Sequence, residues 1–329
     1  MKEVRTILVT GGAGYIGSHT CKALAQQGYL PVVYDNLSRG HRWAVQWGPL
    51  EEGDIHDLPR LGEVMEKYQP FAVLHFAGFG YVGESMEDPA LYYHNNVVGT
   101  LALLGAMRKV GLGRIVFSSS CATFGATQAD NFNETDQQRP VSTYGFSKLI
   151  VEHTLKDYHR AYGLSAVILR YFNAGGADPD GELGEEHDPE PHVLPSLLLT
   201  AAGRRPKFEI LGNDHDTPDG TCVRDFIHVS DLAAAHVLAV KKLEREVGCF
   251  DYNLGNGNGF SILELVNAAQ KVTGVNFAVE VVARRLGDPA RAVGDATKAR
   301  FELGWEPKYP SLDGMLESAW RWMKTEHRR

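Results

Sequence analysis

Short apolar runs alternate with amphipathic stretches through the first half of the chain. Residues 6–9, 31–34, 72–76, 114–117 and 167–170 form runs of four or five, rich in β-branched side chains, each followed within a few positions by Gly, Ser or Asn. Runs with no regular polar face predict strands buried on both sides of a parallel sheet. Helical segments lie between them, among them 18–27 and 143–162. The βαβ alternation predicts an α/β fold with a doubly wound parallel sheet, covered by helices on both faces.

The pattern changes after Asn173. Gly175 to Gly181 reads as a loop, prolonged by the acidic stretch 184–191, and shorter elements follow with turns at Gly212-Asn213-Asp214 and Asn256-Gly257-Asn258-Gly259. A boundary near residue 174 would divide a first domain, 1–173, from a smaller α/β domain, 174–329. The apolar helix expected over 230–242 is the candidate for a segment returning to the first sheet. No internal repeat is seen.

The chain has 329 residues, 43% hydrophobic and 22% charged, the usage of an ordinary globular protein of one large or two average domains. A net charge of −8 disfavours a nucleic-acid partner, which needs clustered Lys and Arg, but leaves room for one basic pocket. No apolar run approaches the roughly 18 residues that would span a membrane, and the N-terminal residues lead straight into a strand without a signal-peptide pattern. Cys21, Cys121, Cys222 and Cys249 are scattered, with no CxxC pair, which predicts neither zinc nor a disulfide framework. The expectation is a reduced, cytoplasmic protein with no membrane partner.

Chemistry enters at the end of the first strand, which runs into Gly11-Gly12-Ala13-Gly14-Tyr15-Ile16-Gly17-Ser18. Gly11 suits a tight turn, Gly14 admits a pyrophosphate to the backbone, and Gly17 allows close helix–strand packing. The anion would sit on free N–H groups at the helix N-terminus. The second strand ends at Asp35, whose carboxylate can accept from ribose hydroxyls and would repel a 2′-phosphate. Arg39 is the one residue favouring NADP, and Asp35 outweighs it, so NAD is expected.

Tyr144-Gly145-Phe146-Ser147-Lys148 sets a phenol and an ammonium one helical turn apart. A free tyrosine titrates near about 10, too high for a base at neutral pH. A neighbouring cation, joined by oxidised nicotinamide, would favour the phenolate and let it take a proton from a hydroxyl. Upstream, Ser118-Ser119-Ser120 follows a strand, where ligands bind in open α/β sheets. Each feature alone has a structural explanation: a surface i,i+4 contact for the pair, a loop hydrogen bond for the serines. Their order along one chain does not.

These residues identify a resemblance to the extended short-chain dehydrogenase/reductase family and, within it, to the 4-epimerases that interconvert UDP-glucose and UDP-galactose. It covers essentially the whole chain. It is carried by the glycine loop and by Asp35-Asn36-Leu37, His75-Phe76-Ala77-Gly78, Val82-Gly83-Glu84-Ser85, Tyr92-Tyr93-His94-Asn95-Asn96, Tyr171-Phe172-Asn173 and Val223 to Val229. The resemblance implies Tyr144 as base, Lys148 on the nicotinamide ribose and Ser120 at the sugar 4-oxygen. It implies a cofactor site of Gly11, Gly14, Tyr15, Ile16, Gly17, Asp35, Asn36, Asp54, Ile55, Phe76, Ala77, Gly78, Asn95, Ser118 and Tyr171. Asn173 and Leu194 would meet the diphosphate-sugar, Arg224 and Arg285 would clamp its phosphates, and Asp288 would hold the uridine ribose. Bidentate guanidinium suits phosphate. A homodimer, joined through helices near 95–109 and 144–162, is also implied.

Three positions depart from the family's pattern. Gly80 stands where many members have a cofactor-touching Lys, and His192 stands where many have Asn. Ala292 stands where bulk restricts N-acetylated sugars, so UDP-N-acetylglucosamine is expected as a substrate. With no ligand cluster seen beside His192, no metal is expected. A dehydratase would need Asp-Glu after the active-site hydroxyl, and here Cys121-Ala122 follow. A UDP-xylose/UDP-arabinose 4-epimerase and a non-catalytic NAD-binding regulator stay open as alternatives.

Overall fold

The computed structural model describes residues 4–125, 131–284 and 289–325. In chain order the first elements are β1 (Thr6–Thr10), α1 (Tyr15–Gln26), β2 (Leu30–Asp35), β3 (Leu50–Glu52), α2 (Leu58–Tyr68) and β4 (Ala72–His75). There follow α3 (Val82–Glu87), α4 (Pro89–Tyr92), a π-helical turn at Tyr93–Val98, α5 (Gly99–Lys109), β5 (Arg114–Ser120), α6 (Thr143–Tyr162) and β6 (Ser165–Tyr171). Every apolar run named above is a strand, because its side chains are buried to both sides. Ile7 and Val9 enter the core under α1, whereas Leu8 enters the core under α2, α5 and α6.

The second half supplies β7 (Asn173–Gly175), α7 (Val193–Ala201), β8 (Phe208–Leu211), β9 (Val223–His228), α8 (Val229–Arg245), β10 (Cys249–Leu254), β11 (Gly259–Ser261), α9 (Ile262–Thr273), β12 (Val279–Val282), β13 (Arg291–Ala292), α10 (Thr297–Leu303) and α11 (Leu312–Thr325). The large sheet is all parallel, in the order β10-β6-β5-β4-β1-β2-β3. Its order reverses between β1 and β4, and the crevice beyond their C-terminal ends is where a doubly wound sheet binds ligands.

A small sheet of β7, β9, β11 and β13 and a third core, built on α7, α9 and α11, make up most of the rest. The boundary near 174 is crossed by the chain. Helix α8 packs its apolar side, including Leu232, Ala235 and Val240, into the core beside α1. Strand β10, for which the pattern held no expectation, then adds the seventh strand beside β6. Its Tyr252 and Leu254 complete that core, so the first sheet cannot close its face without residues from the second half. Among the described residues no helix is long and apolar enough to cross a membrane, and none of the four cysteines is in a disulfide.

Candidate active site

The turn from β1 to α1 shows what each glycine does. Gly11 has φ 72°, and a Cβ there would lie 2.5 Å from the Ala77 nitrogen. A Cβ on Gly17 would lie 2.3 Å from the Gly11 oxygen. Both are required by the protein's own packing. Gly14 is different: a Cβ there would meet nothing of the protein closer than 3.4 Å. Gly14 also opens α1 with no side chain capping the free N–H groups. The bare backbone and uncapped helix end form a cradle that fits a diphosphate.

Asp35 stands at the end of β2, beside the cradle. Its carboxylate is 8% exposed and accepts from the amides of Ala13 (3.0 Å) and Leu37 (2.8 Å), leaving lone pairs for ribose hydroxyls. Burial pushes its pKa up and these amides oppose the shift. Asn36 Nδ2 donates to Asp54 (2.8 Å), and Ile55 is buried beneath the π-helical turn against Gly99. Arg39 gives both oxygens of Glu84 a 2.7 Å hydrogen bond and lies against the rings of Phe79 and Tyr81. Its charge is spent inside the protein, which removes the one residue favouring a 2′-phosphate.

At the far end of the cradle, α6 begins one residue after Ser142, whose side chain caps it by accepting from Gly145 N (3.1 Å). A Cβ on Gly145 would lie 2.3 Å from the Ala122 oxygen, so glycine lets α6 settle onto the turn that follows Ser120. Tyr144 is thereby hydrogen-bonded to Ser120, and its ring packs edge-on to Tyr92 at 6.5 Å. Lys148 points inward, donates to the Ser118 carbonyl (2.8 Å), and lies 5.0 Å from the Phe117 ring centre. Burial pushes the Tyr144 phenol up to about 12, partly opposed by Ser120, and pulls Lys148 down to about 8, partly opposed by Glu152. Two turns along α6, Glu152 forms a fully buried ion pair with Arg170 and accepts from Ser119 (2.5 Å), locking the helix against β5 and β6.

The other residues expected near the cofactor gather here. Tyr171 hydrogen-bonds the Ser118 hydroxyl. A Cβ on Gly78 would come 3.4 Å from the Lys148 ammonium. Phe76 packs on His236, and Asn95 donates to Asn96 (3.0 Å). Tyr15 reaches from α1 to the Gly176 carbonyl (2.7 Å), next to Ile16, which packs on the core. Burial, then the charges of Glu185 and Glu190, push the Tyr15 phenol up.

The residues expected on the sugar side converge less tightly. Asn173 donates to the Asp225 carbonyl (2.9 Å), beside Arg224 on β9. Arg224 stands near enough to Cys121, the neighbour of Ser120, for its charge to oppose the rise that burial imposes on the thiol. Ala292 pairs with Arg224 across β13 and β9 and packs with Phe124, Phe132 and Phe172. The Leu194 side chain is in the core of the second half, so only its backbone could meet a ligand. Arg285 and Asp288 lie outside the described residues.

Several organising residues were not foreseen. Asn96, buried, holds Phe79 by both its amide and carbonyl (2.8 and 3.0 Å) and donates to Ser147 (3.0 Å), tying the π-helical turn to α6. It was named only as part of a motif. His236 sits between Phe76 and Tyr171, a polar residue on an otherwise apolar helix face. Contrary to the expectation from sequence, a ligand cluster does accompany His192: Glu185, His187 and Glu190 place donor atoms within 4.8 Å of its own. The signal was the spacing E-x-H-x-x-E-x-H, which a loop can fold onto one point.

Comparison with known proteins agrees with this geometry. Residues 7–255 match the model of the NAD dependent epimerase/dehydratase family. The chain is 51% identical to a UDP-glucose 4-epimerase of Rhizobium leguminosarum bv. trifolii over 96% of this chain and 97% of that one. A crystal structure of the Brucella ovis UDP-glucose 4-epimerase in complex with NAD superposes with a TM-score of 0.95 at 54% identity, covering 97% and 98% of the two chains. That of the Bifidobacterium longum enzyme with NAD+ and UDP does so at 0.94 and 37% identity, covering 98% and 99%. A Rossmann sheet, a bare-backbone cradle at its switch point and a buried Tyr–Lys pair thus meet in one chain, and it belongs to the NAD dependent epimerase/dehydratase family.

Proposed function

We propose that the chain is an NAD-dependent isomerase that interconverts UDP-glucose and UDP-galactose at C4 through a transient 4-keto sugar. The observation that carries this reading is the meeting of Tyr144, Ser120 and Lys148 at the C-terminal ends of β5 and β6, with Arg224 approaching from the other sheet. NAD, when bound, would supply a reversible hydride acceptor for C4 and a positive charge that favours the phenolate. Tyr144 removes the 4-hydroxyl proton and gives it back. Ser120 bridges the phenol and the sugar oxygen. The Lys148 ammonium, held on the Ser118 carbonyl, favours the phenolate against the burial that raises it.

Anchoring falls to Arg224 and Asn173, together with Arg285, Asp288 and the backbone at Leu194. Strong contacts to the diphosphate and weak ones to the hexose let the sugar turn while its anchor stays. Against a dehydratase, Cys121 and Ala122 supply no acid after Ser120. Against a binding-only protein, such a protein would have no chemical need for all three buried groups. Ala292 adds a second proposal, that UDP-N-acetylglucosamine is also a substrate. Its small side chain packs with Phe124, Phe132 and Phe172, with Cys121 against the same cluster and Arg224 paired across the strands, and this small residue beside the anchor is what supports the wider substrate range.

A second copy of the chain is proposed as partner. Along the end of the π-helical turn, α5 and α6, Val98, Leu101, Phe146 and Tyr162 are 42–56% exposed, apolar side chains that a dimer would cover. Light scattering should give the mass of two chains. A reduced, cytoplasmic setting is proposed from the four cysteines outside any disulfide. The decisive experiment incubates the purified protein, without added NAD, with UDP-galactose, UDP-xylose and UDP-N-acetylglucosamine. UDP-glucose formed from UDP-galactose is expected. Turnover confined to UDP-xylose would replace this reading with the pentose one, and no turnover of any sugar would leave only the binding role.

A further inference from the structure

The loop between β7 and α7 holds a group of side chains that the proposed reaction does not use. Glu185, His187, Glu190 and His192 point their donor atoms at one another. His192 Nδ1 lies 2.8 Å from Glu185 Oε1 and 3.0 Å from Glu190 Oε1. His187 Nδ1 lies 3.2 Å from Glu190 Oε2 and 3.5 Å from Glu185 Oε1. Both carboxylates are nearly buried, at 8% and 5% exposure, a costly place for two negative charges without a matching positive one.

Protons supply that charge in full only if both imidazoles are protonated; against the burial that opposes it, Glu185 and Glu190 already hold His192 on its charged side, well above the usual imidazole range. Each imidazole presents one Nδ1 to two carboxylates, and a single N–H cannot point at both. A cation between the four atoms meets all of them at once. Tetrahedral zinc with bonds of about 2.0–2.2 Å sets its donors roughly 3.3–3.6 Å apart. The two His187 contacts, 3.2 and 3.5 Å, match this, whereas the two His192 contacts, 2.8 and 3.0 Å, would open slightly to admit the ion. One divalent ion also balances two carboxylates while both histidines stay neutral. The surroundings brace the group as they brace metal sites. Tyr81 packs edge-on to both imidazoles, at 5.9 and 5.7 Å, and Arg205 donates to the Glu190 carbonyl (2.6 Å).

We propose that Glu185, His187, Glu190 and His192 form a structural binding site for a divalent transition cation of the zinc type. The ion fastens the 184–192 loop to the wall formed by Tyr81 and His41, whose ring nitrogen lies 3.1 Å from the Glu186 carbonyl. His192 is the residue immediately before α7, so the ion would also fix the approach to that helix.

The test uses the untagged full chain, stripped with chelator and titrated with Zn2+ against a chromogenic competitor. Expected are one ion per chain with sub-micromolar affinity, and visible absorption bands of a four-coordinate site when Co2+ replaces Zn2+. His187→Gln and Glu185→Gln, neither placed at the reacting atoms, should each weaken Zn2+ binding at least tenfold. Circular dichroism shows whether each variant is folded. If the parent protein takes up no stoichiometric Zn2+, or if folded variants bind as the parent does, the group is an ion-pair network and the proposal is wrong. Should one variant fail to fold, the Co2+ spectrum of the parent decides alone: no four-coordinate bands, no site.

Discussion

The two ends of the cleft are built in different ways. At the cofactor end, each device comes from residues close in sequence: one strand–turn–helix supplies Gly11, Gly14 and Gly17, and one helical turn supplies Tyr144 and Lys148. Their polar atoms are held by backbone groups or buried partners, as Lys148 is by Ser118 and Asp35 by Ala13 and Leu37. At the sugar end, Asn173, Arg224 and Ala292 come from three strands, β7, β9 and β13. What joins them is Asp225, whose buried carboxylate accepts from the amides of Asn256, Gly257 and Gly294 (2.9, 3.2 and 3.1 Å). The contrast suits the proposed chemistry. On the proposed function, a cofactor that stays would be gripped by rigid local geometry, and a sugar that turns would be held only through its anchor.

Substitutions at the two ends should therefore fail differently. The largest effect is expected from Tyr144→Phe: kcat should fall by about 10²- to 10⁴-fold, the usual worth of a positioned acid–base group, with NAD retention unchanged. Steady-state assay and the absorbance of retained cofactor read the two. Glu152→Ala should come next. Leaving Arg170 buried with a partner removed should cost about 3–5 kcal/mol, read by denaturant unfolding. Loss of activity with no loss of stability would show that Glu152 does not lock α6 in place.

At the sugar end, Ala292→Tyr should lower kcat/KM for UDP-N-acetylglucosamine by about 10- to 200-fold and spare UDP-galactose. An equal fall for both sugars would mean that the side chain disturbs the Phe124–Phe172 core rather than the pocket.

The glycines divide the cofactor end further. Gly17→Ala should cost about 1–3 kcal/mol by forcing backbone apart. Gly14→Ala should leave the melting of the apoprotein within about 0.5 kcal/mol yet weaken NAD binding, since its methyl group occupies only the cradle. Near neutrality the smallest effect is expected from pH, and it grows only above about 8. Lys148 titrates near 8 and must be charged to favour the phenolate. As pH rises through that value the ammonium is lost, so kcat/KM should fall, by up to about tenfold per unit above it. A profile flat to pH 10 would show that Lys148 does not supply that charge.

Much of the cofactor end was legible because its constraints are local. Gly11 and Gly17 are read from a turn and a helix start, Tyr144 and Lys148 from a helical period, and the strands from apolar runs. Asn96 and His236 were not, since each matters through partners on other elements: Ser147 on α6, and Phe76 and Tyr171 at strand ends. The domain boundary shows the same limit. Nothing in the pattern of 249–254 distinguishes a strand of the small sheet from one that crosses back to β6.

By itself, then, the sequence determined the parallel sheet, the glycine turn and the helix that carries Tyr144 and Lys148, because periodicity and short spacings act within one element. The tertiary structure alone decided that Arg39 is neutralised by Glu84, and that α8 and β10 complete the first core. It also decided that two glutamates and two histidines of one loop converge on a point. Those outcomes depend on which surfaces meet, and burial energy between distant segments leaves no period in the chain.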